Sequence, residues 1–283
     1  MNLSAWSGHF FIIFGNSSRP TFVPTPLWPV IHAEILNQCD GIDGVVDGII
    51  EDPLLCRWRP EALQCAPGII NSTTCLTSTQ VGAVRAAFTD YYGTDGSLIF
   101  PRMQPGSEII ASAIYYNGEP FPYTTDWFRY AVYSMLLSSS TFAESGFDSS
   151  IDDPNWDPSK FNLTDVNIAN AQNPFDIQTF DGDLSAFRNA GGKVRKYDVY
   201  SCRFKPLTSQ VHWHGQADYI ITSDNSPRYY DHVSQTMGLN SSSLDAFYRF
   251  FRVSGTGHCG GGDGIIMPSL SSPLIKNYLT DGL

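Results

Sequence analysis

The chain has 283 residues, 42% of them apolar, with a formal net charge of −11 and only 16% charged residues. That is long enough to bury a substantial core in one or two domains, and without a basic cluster it is unsuited to phosphate backbones, which excludes nucleic acid as a partner. The apolar start Phe10-Phe11-Ile12-Ile13-Phe14 is far too short to span a bilayer, so the chain reads as soluble with no membrane partner.

Residues 1–38 read as a connector: an apolar stretch, a Pro-rich crossing at 20–29, and a short helix over 28–38. The start, Met1-Asn2-Leu3-Ser4-Ala5-Trp6, lacks the basic region and small-residue cleavage site of a signal peptide. Either the protein is cytosolic or its beginning is missing. Next comes Cys39-Asp40-Gly41-Ile42-Asp43-Gly44-Val45-Val46-Asp47-Gly48-Ile49-Ile50, where three aspartates alternate with three glycines beside a cysteine. Three carboxylates aimed at one place repel one another unless a hard cation takes them as ligands, and calcium suits that chemistry. The glycines can turn the backbone and aim the Val45 and Ile49 carbonyls inward as further ligands. The spacing is not that of an EF-hand, since the twelfth residue from Asp43 is Leu54 and not a glutamate. The alternative is an Asx-turn loop with solvated charges.

From 39 to about 175 the sequence is dominated by Pro, Gly, Ser and aromatics, with helical patterning only at 77–91 and around 127–137. Cysteines stand at 39, 56, 65, 75, 202 and 259, with no CxxC pair among them, which favours disulfides over zinc. Sequons at Asn2, Asn16, Asn71, Asn162 and Asn240 fit a glycosylated, secreted protein. After Asp181 the texture changes. Residues 184–190 predict a short helix ended by Gly191-Gly192, 219–221 the turn after a strand, 226–237 a helix and 247–253 a buried strand. Strand, helix and strand in that order fit a parallel sheet.

Two loops in this last region can carry chemistry: His214-Gly215-Gln216-Ala217-Asp218, and Gly255-Thr256-Gly257-His258-Cys259-Gly260-Gly261-Gly262. In α/β-hydrolases the acid and then the histidine of a triad lie in that chain order on loops at the carboxyl edge of the sheet. Asp218 matches the acid that fixes the imidazole tautomer, and His258 the base that takes a serine proton and returns it to the leaving alcohol. The ordinary reading of each alone is a turn aspartate and a satisfied polar histidine. His212 and His214 read as alternating along one strand and His232 as lying on a helix, all with weaker claims.

Together, the aspartate ladder of 39–56, the segments 75–85 and 180–193, His214 to Asp218, and 247–262 with its GxGHCGGG string resemble the fungal tannase and feruloyl esterase family, whose members are secreted serine esterases. The likeness runs from about residue 5 to residue 264. It implies Asp218 and His258 as catalytic acid and base, and Asp40, Asp43, Val45, Asp47 and Ile49 as calcium ligands. It further implies disulfides Cys39 with Cys56 and Cys65 with Cys75, and a third from Cys259 to a cysteine beside the nucleophilic serine. The implied fold is α/β: a partial α/β-hydrolase core with a large loop-rich, disulfide-stapled lid. On that reading 1–38 is a residual core segment and connector, 39–175 the lid with its calcium loop, and 176–283 the C-terminal part of the core.

Three departures from the family stand out. The family's Gly-Cys-Ser-x-Gly elbow is missing and no G-x-S-x-G occurs in the chain, so the expectation is a fragment begun at an internal methionine and inactive as given. Cys259 would then lack its partner. Residues 194–210 have no family counterpart, and joining their flanks restores a family-like strand, as a retained intron of 17 codons would require. Residues 265–283 no longer resemble the family. The expected activity of the full-length form is hydrolysis of aryl esters, galloyl or feruloyl, on small molecules or plant polymers. The aromatics Tyr115, Tyr116, Phe121, Tyr123, Trp127 and Phe128 suit a phenolic acyl group or, equally, core packing. The alternatives are a catalytically silent secreted calcium-binding module and a non-functional gene fragment. Which ester is cleaved and the oligomeric state are not legible.

Overall fold

A computed structural model describes residues 3–69, 73–133, 153, 155–192, 211–258 and 260–263. The segment 194–210, the C-terminal residues 265–283 and the cysteines at 202 and 259 lie outside the described residues. The chain divides into two compact units, the first from residues 1–31, 59–103 and 109–180, the second from 32–58, 104–108 and 181–283.

The first unit is built on aromatic packing. Helix α1 (Leu3–Phe14) places Trp6, Phe10 and Phe14 four residues apart, one above another on a single buried face. Trp6 meets Phe10 edge-on at 4.6 Å and stacks on Phe100 at 4.9 Å, while Phe10 and Phe14 reach Tyr116 at 5.1 and 4.7 Å. Tyr115, Tyr116 and Phe128 are thus core residues, 2% exposed or less, whereas Tyr123 is 75% exposed. Helix α2 (Trp28–Cys39) begins in this unit and matches the helix expected over 28–38. The patterning at 77–91 becomes α3 (Ser78–Ala87), opened by a capping box in which Thr77 accepts the Gln80 N–H and Gln80 accepts that of Thr77. A small antiparallel pair follows, β1 (Tyr91–Tyr92) with β2 (Leu98–Phe100). The Cys65–Cys75 bridge forms as the family likeness implied.

Two helices of this region carried no visible period. Helix α4 (Glu108–Tyr115) is apolar along most of its length, so no polar face marks it. Beyond α5 (Pro122–Trp127), the described part of the helix expected around 127–137 is a π-turn, Phe128–Val132, and residues 134–137 lie outside the described residues. Helix α6 (Leu163–Gln172) hides its stripe because the first-turn Asp165 is buried. Asp165 accepts hydrogen bonds from the Tyr133 hydroxyl at 2.6 Å, the Trp156 indole at 3.0 Å and the Asn162 N–H at 2.8 Å. A polar residue at a core position breaks the apolar period from which a helix is read.

In the second unit, α7 (Ser185–Asn189) ends at Gly191 in the left-handed conformation, φ 74°, as the Gly-Gly pair predicted. Strand β3 (Val211–Gly215) pairs in parallel with β4 (Arg249–Val253), His214 opposite Arg252 and Gly215 opposite Val253. Helices α8 (Asn225–Met237) and α9 (Ser241–Leu244) make the crossover that a parallel pair requires. Val233, Leu244, Phe247 and Tyr248 form the core beneath it. The second implied bridge, Cys39–Cys56, closes the aspartate loop. No helix among the described residues is long and apolar enough to cross a membrane.

Candidate active site

β3 closes on Gly215, where nothing larger fits: an added Cβ would collide with the carbonyls of Thr256 and Gly257. That close approach stitches two loops together. Gln216 N–H donates to Val253 O at 2.8 Å and Ala217 N–H to Thr256 O at 3.0 Å, while Asp218 N–H turns back to Gly215 O at 3.2 Å. The turn after β3 and the loop after β4 therefore run side by side. The second loop folds back on itself through Gly257 N–H to Gly261 O at 2.9 Å, and Gly262, at φ 84°, sits where a side chain would strike the Gly255 carbonyl.

Asp218 and His258 face each other across this seam. His258 Nδ1 lies 3.0 Å from Asp218 Oδ2 and 3.2 Å from Oδ1. Asp218 is 4% exposed, and its Oδ1 accepts the N–H groups of Ile220 and Ile221 at 2.8 and 2.9 Å. Oδ2 also meets His214 Nε2 at 3.0 Å. Burial pushes the Asp218 carboxyl up, but the hydrogen bonds and charges of His214 and His258 outweigh it and hold the pKa at about 2. The carboxylate is thus an anion at neutral pH, so Nδ1 of His258 carries a proton toward it and Nε2 is left as the acceptor nitrogen of the neutral ring. The His258 side chain is 28% exposed, against 6% for Asp218, so the imidazole reaches the surface while its anchor does not. The Tyr219 ring flanks it at 6.4 Å.

His214 is the residue that the sequence undervalued. The H-x-H spacing puts His212 and His214 on one face of β3, but only the fold shows that this face meets Asp218 and the start of α8. Ser226 on α8 lies 2.7 Å from His214 Nδ1 and 3.0 Å from His212 Nε2, and His212 Nδ1 is 2.8 Å from the buried Tyr248 hydroxyl. His232 takes no part in these contacts.

Further along the unit, Arg252 on β4 donates to Gln216 Oε1 at 2.9 Å and to the Asp52 carboxylate at 3.1 Å. The segment just past the aspartate ladder is thereby tied to the turn that carries Asp218. In the ladder each carboxylate accepts backbone N–H groups of its own loop: Asp40 from Asp47 at 3.3 Å and Gly48 at 3.0 Å, Asp43 from Val45 at 2.9 Å, Asp47 from Ile49 at 3.1 Å. Gly44 and Gly48 take positive φ, 92° and 84°, as the turns demand. Among the described residues no group of three or more His, Cys, Asp or Glu side chains is placed to hold a metal ion. These carboxylates are hard oxygen groups on a loop closed by the Cys39–Cys56 disulfide.

Comparison with known proteins bears on the whole chain. The profile of the family "Tannase and feruloyl esterase" matches residues 5–277. A probable feruloyl esterase B-2 of Neosartorya fischeri is 47% identical over 264 residues, covering 93% of this chain and 44% of that protein. Two solved Aspergillus oryzae structures superpose on 99% of the chain. One is of an esterase, with TM-score 0.81, 41% identity and 51% of its own chain covered. The other is of feruloyl esterase B, with TM-score 0.79, 39% identity and 52% covered. The chain spans about half the length of these relatives. The family match reaches residue 277, past residue 264 where the sequence reading ended the likeness, and the chain belongs to the tannase and feruloyl esterase family.

Proposed function

We propose that this chain carries the acid and base of a carboxylic ester hydrolase acting on aryl esters of galloyl or feruloyl type. The observation that supports this reading most is the hydrogen bond from His258 Nδ1 to the buried Asp218 carboxylate at 3.0 Å. Asp218 would hold the imidazole in the Nδ1–H tautomer and stabilise the imidazolium that forms. His258 Nε2 would take the proton from a serine hydroxyl as it attacks the ester carbonyl, then return it to the leaving alcohol; water repeats the cycle on the acyl-serine. No G-x-S-x-G elbow lies in these 283 residues, so the chain by itself would not turn over esters. The same observation favours the second reading, a catalytically silent secreted calcium-binding module.

The finer architecture belongs to this proposal: β3 and β4 as strands of a hydrolase core, residues 39–175 as a lid, and a secreted, glycosylated full-length form. So does calcium at Asp40, Asp43, Asp47 and the Val45 and Ile49 carbonyls, which would draw the Asp43 and Asp47 carboxylates off the N–H groups they now accept. A chelator should then lower the melting temperature, and an unchanged melting curve would count against the ion.

The test of function is p-nitrophenyl ferulate and methyl gallate hydrolysis by two proteins. One is the chain as given; the other is the chain joined behind the N-terminal half of a homologous feruloyl esterase bearing the Gly-Cys-Ser-x-Gly elbow. Turnover by the second alone is expected. Turnover by the first would require another nucleophile, and none by a folded second would refute the reading.

A further inference from the structure

We propose that His214 is a positioning residue that holds Asp218 in place for His258, its own tautomer set within a hydrogen-bond chain running through Ser226 and His212 to the Tyr248 phenol. The inference rests on the reading of Asp218 and His258 as acid and base, and deepens it.

The direction of the chain follows from what each atom can do. His214 Nε2 faces two acceptors, Asp218 Oδ2 at 3.0 Å and the Ile221 carbonyl at 3.1 Å, so it must carry the proton. In the neutral ring Nδ1 then accepts, and its 2.7 Å partner, the Ser226 hydroxyl, must donate. With its hydrogen committed, Ser226 Oγ accepts from His212 Nε2 at 3.0 Å. His212 Nδ1 is left to accept the Tyr248 O–H at 2.8 Å. Burial, reinforced by Tyr229 and Tyr230, pushes the Tyr248 phenol upward and keeps that proton in place. Every polar atom of the chain has a donor matched to an acceptor, and all point toward Asp218. A second proton, on His214 Nδ1, would leave the bond to Asp218 as it is but would face the Ser226 hydrogen, so the part of the chain beyond His214 would have to reverse.

Among the described residues, the titratable and charged groups on the elements around this chain are His212 on β3, Tyr248 ahead of β4, Tyr229 and Tyr230 on α8 against Tyr248, Arg252 on β4 with its guanidinium on Gln216 and Asp52, and Tyr219 and His258 on the two loops. For Asp218 the consequence is a second N–H donor on Oδ2, the oxygen that His258 uses. The donor fixes the carboxylate's orientation and disperses charge that would otherwise bind an imidazolium at 258 more tightly.

The experiment is ¹⁵N-histidine NMR of this chain, whose six histidines are few enough to assign by substitution. His212 and His214 should both show the neutral Nε2–H tautomer at pH 7, and a His214 in the Nδ1–H form or as imidazolium would overturn the proposal. In His214→Leu the midpoint of His258 should rise by about one pH unit; an unmoved midpoint would overturn it as well. Ser226→Ala removes one hydroxyl and serves if the leucine variant does not fold. There His212 Nε2–H loses its acceptor and its shifts should move toward a tautomer average, whereas unchanged shifts would refute a directed chain. None of these readings needs turnover. A chain with the expected tautomers whose joined form cleaves no ester would remove the esterase reading alone, and an active form with the opposite tautomers would remove this one alone.

Discussion

Lowering the pH from neutral toward 2 titrates Asp218 and should loosen the seam between the two loops by a calculable amount. The folded carboxyl is held at about 2 against an ordinary value of 3.8. A group whose folded pKa is depressed stabilises the fold fully above its unfolded pKa and loses that contribution as pH falls through the folded value. The contribution is about 2 kcal/mol, since each pH unit between the two values is worth about 1.4 kcal/mol. Asp218 is 4% exposed, so solvent screening takes little from it. The assay is amide hydrogen exchange at Ile220 and Ile221, whose N–H groups donate to Asp218 Oδ1, in the wild type and in Asp218→Asn. Reading local amides keeps unfolding of the first unit out of the result. The protection advantage of the wild type should shrink about thirtyfold between pH 5 and pH 2. An advantage constant across that window would show that the charge of Asp218 is not what holds the turn.

Gly215→Ala should destabilise the second unit by about 1–3 kcal/mol in urea titration, because its Cβ meets the backbone of Thr256 and Gly257 and not the end of a flexible side chain. It should also weaken the coupling between Asp218 and His258, seen as a change in the His258 titration; a variant of wild-type stability would contradict the close approach. Replacing Cys65 and Cys75, ten residues apart, by serine should cost about 3 kcal/mol from the loop entropy released in the unfolded chain. Thr77→Ala should cost about 1 kcal/mol by removing half of the α3 capping box, measured by urea or thermal unfolding.

That Asp218 and His258 meet was legible in the sequence: both lie in short loops next to strands, chain order suggested the pairing, and the family likeness implied their roles. The run from β3 through α8 to β4 was legible too, because period and glycine punctuation agree there. α4 and α6 escaped because one is apolar on most sides and the other buries an aspartate, and neither presents the polar and apolar faces that a period requires. His214 escaped for a different reason. Its partners Ser226, His212 and Tyr248 are brought together by strand register and by the docking of α8, which no local pattern encodes. The exposed Tyr123 and the buried Tyr115, Tyr116 and Phe128 show the same limit, since an aromatic's place in core or surface is decided by tertiary packing.

The central claim is that Asp218 orients His258 as the base of an ester hydrolase. It is tested most directly by kcat/KM for an aryl ester in the chain joined to an elbow-bearing N-terminal half, with and without Asp218→Asn. The substitution keeps the shape of the site but lets His258 take the wrong tautomer, and a loss of about 10⁴-fold in kcat is expected. A joined enzyme whose turnover is unchanged by Asp218→Asn would contradict the account.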